Sequence, residues 1–134
     1  MARPIGRKRK ATPFEAKWRA HRWGLRAEWL AAAFLAMKGY RILARKFVVA
    51  GGEIDLVAAR GGVIAFIEVK ARPSFDEALI AIDAAKRRRI GRAARVWLMR
   101  NPSAVRTTLR GDAVLIAPRR WPRHVQAAFD LEVE

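Results

Sequence analysis

Apolar positions along the chain recur with two periods, and the changes between them mark out the elements. From Leu25 to Lys38 the spacing is helical, with Ala31, Ala32, Ala33, Leu35 and Met37 favouring a helix and Gly39 stopping it. Tyr40 to Ala50 alternates apolar and basic residues as a strand does, and Gly51 and Gly52 then turn the chain. Two further apolar runs, Glu53 to Ala59 and Val63 to Lys70, are separated by Arg60, Gly61 and Gly62, which predicts a β-hairpin. Pro73 to Asp76 loops into a helix expected over Glu77 to Arg100, whose core stripe is Leu79, Ile82, Ile90, Ala93, Ala94, Trp97 and Leu98. A strand–helix–strand crossover then predicts a parallel strand from Arg110 to Ala117. Pro118 to Arg123 is a basic loop carrying Trp121, and a short helix over His124 to Phe129 closes the chain. The pattern is that of an α/β fold with a central mixed sheet, an antiparallel hairpin plus a parallel crossover strand, covered on both faces.

The hairpin permits a sharper reading. With Gly61 and Gly62 as the loop, Arg60 faces Val63, Val57 faces Phe66, Asp55 faces Glu68 and Glu53 faces Lys70. Period two puts Glu53, Asp55, Val57, Ile64, Phe66, Glu68 and Lys70 on one face and Ile54, Leu56, Ala58, Ala65, Ile67 and Val69 on the other. Two opposed carboxylates destabilise a sheet unless one is protonated or a cation lies between them, and Mg²⁺, which prefers oxygen ligands, would resolve the conflict. The plainer alternative is an exposed strand end with a Glu53–Lys70 cross-strand pair, and a one-residue change in loop length would break the facing pattern. Glu28 falls within the apolar stripe of the first helix, where an unpaired carboxylate is costly to desolvate. It is either a site residue or a salt-bridged glutamate at the edge of the stripe.

Charge narrows the partner. Lys and Arg total 28 against 12 Asp and Glu, a formal net charge of +16, so the surface must attract polyanions and nucleic acid is the expected partner. Binding to a membrane surface would want an amphipathic helix with little other core, whereas here apolar residues also fill strands. No Cys is present, and His21 and His124 form no metal motif, which leaves carboxylates to hold any metal. The 134 residues suit a single domain, expected over residues 17–134, with residues 1–16 as a mobile basic arm. Lys17 to Gly24 interleaves two Trp with basic residues, able to stack on bases or simply to cover the core. Arg87, Arg88, Arg89, Arg92 and Arg95 load the second helix with charge and are expected to flank a phosphate backbone. Lys86 lies near the apolar stripe and either snorkels, the expected option, or reaches the site. No apolar segment follows the basic N-terminus, and the stretch near Leu30 to Met37 is too short to span a bilayer. A cytoplasmic location is the expectation.

A helical Glu, a Gly-Gly-Glu-Ile-Asp turn into a strand, and Phe-Ile-Glu-Val-Lys on the next strand together resemble the PD-(D/E)xK restriction-endonuclease-like superfamily. Within it the chain looks most like the YraN-like family of uncharacterised bacterial proteins, which are similar to archaeal Holliday-junction resolvases. The resemblance is carried by Glu28-Trp29-Leu30-Ala31-Ala32, Gly39 to Leu43, Gly52 to Val57, Glu68-Val69-Lys70-Ala71-Arg72 and the stretch from Lys86 to Ala94. It implies a three-layer α/β/α fold and a metal-dependent endonuclease on DNA, with branched or structured DNA as a candidate substrate. Asp55 and Glu68 would bind Mg²⁺ or Mn²⁺, Lys70 would orient or activate the attacking water, and Glu28 would support the metal from the first helix. Arg72 and Lys86 would join the arginines of the helix on the nucleic acid. No small-molecule cofactor is implied, and symmetric cutting of two strands would imply a homodimer.

The chain departs from the family pattern in three places. Ile54 stands where the superfamily name has Pro, Phe75 is followed by Asp76 rather than Gly, and Gly111 occupies a position where the family favours a bulky aromatic. Two other readings stay open: a nucleic-acid-binding module of the same fold that does not cleave, and an RNA-binding assembly factor.

Overall fold

Thr12, Pro13 and Glu15 start the first helix well before Leu25. The computed structural model describes residue 10 and residues 12–131, with residues 17–22 as backbone only. Helix α1 runs Pro13–Met37. Thr12 Oγ1 accepts the amide N–H of Glu15 at 3.1 Å and Glu15 Oε2 accepts that of Thr12 at 3.3 Å, a capping box with Pro at the first turn. Gly24 lies inside the helix, a tolerated cost of about 1 kcal/mol relative to Ala. The expected basic arm is thus corrected at its end: residues 12–16 are the cap and first turn, while residues 1–9 and 11 lie outside the described residues. The side chain of Trp18, the first of the two interleaved tryptophans, also lies outside them.

Strands β1 (Arg41–Val49), β2 (Gly52–Arg60), β3 (Val63–Ala71), β4 (Thr108–Ile116) and β5 (Arg123–Phe129) form one sheet in the order β1-β2-β3-β4-β5. The β3–β4 pair is parallel and the others antiparallel. Gly61 and Gly62 both have positive φ, as the tight turn of a two-residue hairpin requires, and Arg60 pairs with Val63 as expected. The crossover from β3 to β4 carries α2 (Phe75–Ile80), α3 (Ala84–Arg100) and a 3₁₀ turn over Pro102–Arg106. α1 closes one core against Leu56, Ala58, Ala65, Ile67 and Val114. α2 and α3 close the other against Ile54, Val57, Phe66, Ala113 and Leu115. The result is three layers, helix on sheet on helix.

Two further expectations give way. The helix expected over Glu77 to Arg100 is two helices, because Asp83 takes an extended conformation and its carboxylate accepts the amide N–H of Lys86 at 2.8 Å, starting α3 afresh. The closing helix expected over His124 to Phe129 is the edge strand β5. Its register against β4 shifts between Gly111 and Ala113. There the fully buried Asp112 accepts the amide N–H of Ala127 at 3.0 Å, in place of a rung of the ladder. Phe129 lies across Gly111, where an added Cβ would come within 2.6 Å of the ring. The space that a bulky aromatic would fill at position 111 is therefore filled from β5.

Asp112 also accepts two hydrogen bonds from Arg110, at 2.7 and 2.8 Å, and one from His124 Nε2 at 2.7 Å. His124 Nδ1 lies 2.6 Å from Lys38 Nζ, and Arg110 reaches Tyr40 Oη at 2.8 Å. The network ties β4 and β5 to the end of α1. Burial raises the proton affinity of Asp112, but hydrogen bonds from His124, Arg110 and Ala127 more than offset this and leave its pKa below the ordinary 3.8. A depressed carboxyl pKa stabilises the fold above the unfolded value and ceases to do so as pH falls through the folded one. Asp112→Asn is expected to lower unfolding stability by about 3 kcal/mol or more at neutral pH, since Arg110 loses its buried partner. Urea denaturation should show that deficit, and it should narrow only below pH 3.8; an unchanged midpoint at pH 7 would refute it.

Candidate active site

The β2–β3 ladder runs from Arg60–Val63 to Leu56–Ile67, one pair short of the two expected facing carboxylates. There Asp55 Oδ2 accepts the amide N–H of Val69 at 2.8 Å, so a side chain bridges the strands where the backbone ladder ends. The alternation of faces also changes at this point. Ile54, expected beside Leu56, packs with Val57 and Phe66 in the opposite core. β1 changes phase with it: Ala44 and Phe47, three positions apart, both pack on that core, and Lys46 between them has φ 48. Asp55 and Lys46 lie between the pairs Arg45–Leu56 and Phe47–Ile54. The expected pairing is correct for the apolar half of the hairpin, and the acidic half is remade around Asp55.

Asp55 and Glu68 nevertheless line one cleft, of roughly 210 Å³, with Glu28 and Ala27 of α1, Lys46 of β1, Glu53 of β2, Lys70 of β3 and Lys86 of α3. Glu28, Asp55 and Glu68 are buried. Lys70 Nζ lies 3.2 Å and Lys86 Nζ 3.4 Å from Glu68 Oε1, and Lys46 Nζ lies 3.5 Å from Glu28 Oε2. Lys86 therefore reaches the cleft rather than snorkelling, carried there by the start of α3 at Asp83. A larger cleft of about 720 Å³ lies by the hairpin tip, between Arg60, Gly62, Trp97 and Thr107, and contains no acidic side chain. Chemistry rather than size picks out the smaller one.

Burial and mutual repulsion of the carboxylates outweigh the pull of the lysines beside them. Burial and then the charge of Asp55 push Glu68 up to about 7, against the opposing pull of Lys86 and Lys70. Glu28 is pushed up to about 7 by burial first and by Asp55 second, with Lys46 opposing. Among the described residues, no group of three His, Cys, Asp or Glu side chains forms a ready-made metal cluster. Asp55 and Glu68 offer two carboxylates on adjoining strands, and Mg²⁺ is commonly held by one or two carboxylates together with waters and substrate phosphates.

Around the cleft the surface is basic. Arg87, Arg88, Arg89, Arg92 and Arg95 are exposed on α3, and Arg92 reaches back to the Gly51 carbonyl at 3.4 Å. Arg72 is exposed just beyond β3, its guanidinium donating to the Ala71 carbonyl at 2.7 Å. Arg45 stacks on Trp29 with its guanidinium carbon 3.5 Å from the ring centroid, one residue beyond Glu28. The structure thus brings Glu28, Asp55, Glu68, Lys70 and Lys86 together and leaves the expected phosphate-contacting arginines on the helix outside. Lys46 was not anticipated; the alternation of apolar and basic residues around it read only as a strand.

Fold and cleft define the class: a mixed-sheet α/β domain with a buried acidic cleft bordered by lysines, on a strongly basic surface. The chain belongs to the uncharacterised protein family UPF0102, whose model matches residues 27–116. It is 57% identical over 129 residues to a UPF0102 protein of Methylobacterium nodulans, covering 96% of this chain and 94% of that protein. A UPF0102 protein of Methylorubrum extorquens is 57% identical over 122 residues, covering 91% and 95%. One of Rhodopseudomonas palustris is 50% identical over 123 residues, covering 92% and 96%. Among the described residues no helix is long and apolar enough to cross a membrane.

Because the charge of Asp55 is the second cause of both raised pKa values, Asp55→Asn should let Glu28 and Glu68 ionise at lower pH. Carboxyl ¹³C NMR titration of the metal-free protein should show both midpoints falling from about 7. Midpoints that stay in place would show that the three groups do not share one field.

Proposed function

We infer that this protein is a metal-dependent phosphodiesterase acting on DNA, with the cleft between β2 and β3 as its catalytic centre. The observation that carries the reading is the convergence of Glu28, Asp55, Glu68 and Lys70 from two strands and a helix into one buried cleft. It is supported by the resemblance of the motif series to PD-(D/E)xK nucleases and, more distantly, to Holliday-junction resolvases. Asp55 and Glu68 would hold Mg²⁺ or Mn²⁺, which when bound lowers the pKa of a water and neutralises charge on the phosphate. Burial and the charge of Asp55 raise the pKa of Glu68, a conflict that a bound cation would relieve. In hydrolysis a water oxygen bonds to phosphorus, one P–O ester bond breaks, and the departing oxygen takes a proton. Lys70 would donate hydrogen bonds to the water or to the phosphate oxygens as negative charge builds, and Glu28 would support the metal from α1. The α3 arginines and Arg72 hold the DNA backbone by charge, so binding weakens steeply with salt.

A second reading, a nucleic-acid-binding module of the same fold that does not cleave, is favoured by one observation. Both Lys70 and Lys86 already form ion pairs with Glu68. Purified protein incubated with supercoiled, single-stranded, flapped and four-way-junction DNA plus Mg²⁺ or Mn²⁺ separates the two. The parent should cut at least one substrate, Asp55→Asn none, and Lys70→Ala should be slower by about 100-fold or more. Binding by all three without cutting would leave the silent module.

The cation itself is open to a direct measurement. Glu28 and Glu68 shed their protons near pH 7, and a protonated carboxyl is a poor ligand, so proton and cation compete. Thermal stabilisation by Mn²⁺ should be full at pH 8, fall away by pH 6 and be lost in Asp55→Asn. Equal stabilisation at both pH values would exclude these carboxylates as ligands.

A further inference from the structure

The β4–β5 connection is a basic segment that the cleft does not use. It leaves β4 beyond Ile116, which pairs with Ala71, while Glu68 and Lys70 pair with Ala113 and Leu115. The loop therefore emerges at the end of the sheet where the carboxylates lie. Its base is pinned by Arg120 and Arg123, whose guanidinium carbons sit 5.5 and 4.7 Å from the centroid of Phe75. Between these anchors Trp121 is 77% exposed.

Trp121 and Pro122 form one wall of an open groove of about 370 Å³, and Leu30, Phe34 and Met37 of α1 form the other. Arg119 and Arg120 also line it. Ala27 lines the cleft and Leu30, three residues on, lines the groove; that spacing puts both on one side of α1, so groove and cleft are neighbours along the helix. An apolar groove bordered by guanidinium groups wants a ligand both flat and apolar and attached to negative charge. A nucleobase on its phosphodiester chain is such a ligand, and base stacking on an aromatic side chain is indifferent to sequence. A second copy of this chain fits less well, because it would set these arginines against a molecule of net charge +16.

We propose that this groove binds an unpaired nucleobase of a strand leaving the acidic cleft, with Trp121 stacked on the base and Arg119 and Arg120 on the adjoining phosphates. The inference rests on the nucleic-acid reading above and narrows the substrate to DNA with an unpaired segment beside the cut, such as a flap or a junction.

The test is equilibrium binding by the full-length protein in EDTA, so that cutting plays no part, using fluorescently labelled blunt duplex and the same duplex with a single-stranded flap. Trp121→Ala should weaken flap binding at least about fivefold, the low end of what one stacked base contributes. Blunt-duplex affinity should change by less than about twofold, and Trp121→Phe should recover most of the loss. Because Trp121 is so exposed, the melting temperature of Trp121→Ala should match the parent. Equal weakening on both DNAs, or none on the flap, overturns the proposal. So does sedimentation showing a dimeric parent and a monomeric Trp121→Ala, which would make a second copy the occupant. Loss of binding to phosphatidylserine vesicles with flap binding intact would make it a lipid surface. A protein that cuts nothing yet shows the flap-specific loss would overturn only the catalytic reading; one that cuts blunt and flapped DNA alike, with or without Trp121, would overturn only this one.

Discussion

The hydrogen bond from the Val69 amide to Asp55 governs the arrangement of the acidic cleft. A strand that ends its backbone ladder inside a protein must satisfy the next amide in another way, since a buried unpaired N–H is costly. Asp55 does this with a side-chain oxygen, and in doing so fixes a carboxylate between two strands and beside Glu68. The raised proton affinities of Glu68 and Glu28 follow from burial and from that fixed neighbour. The backbone needs a carboxylate or amide oxygen there for folding, whereas only the carboxylate creates the electrostatic tension in the cleft. Asp112 repeats the device between β4 and β5, accepting the Ala127 amide where their register slips. The outcome there is different because Arg110 and His124 complete the shell and hold Asp112 ionised.

How much of this was legible in the sequence depended on whether backbone geometry or a side chain decided the matter. The hairpin register could be read because Gly61 and Gly62 allow the turn that pairs Arg60 with Val63. The parallel strand could be read because a strand followed by helix must cross over before it pairs again. Period-two counting failed at Asp55, where a carboxylate rather than an amide bridges the strands and Ile54 changes face. The edge strand β5, expected as a helix, was missed because its pairing depends on the side chain of Asp112, eleven or more positions earlier in the chain. The early start of α1 was available in Thr12-Pro13-Phe14-Glu15, a capping box masked by Gly24. The break between α2 and α3 left a weaker trace, a lone Asp83 cap with Lys86 where a capping box would have Glu or Gln.

The candidate site was legible as residue types more than as positions. Asp55, Glu68 and Lys70 stood out because opposed carboxylates on a sheet require an explanation, and Glu28 because a charge sat in an apolar stripe. Lys86 and Lys46 could be placed only once the start of α3 and the change of phase in β1 were known. Together with Lys70 these lysines surround the acidic groups from three elements. The cleft thus has its own counter-charge, separate from the arginines on the outer surface of α3, so local neutralisation and long-range attraction of a polyanion reside in different residues.

The clamp of Arg120 and Arg123 on Phe75 bears on the entropy of recognition. Loops that meet ligands commonly lose conformational freedom when they do, and that loss subtracts from affinity. Here two prolines and two guanidinium–ring stacks have restricted the segment around Trp121 before any ligand arrives. Whatever the loop meets finds the indole already presented, and the ordering cost was met during folding.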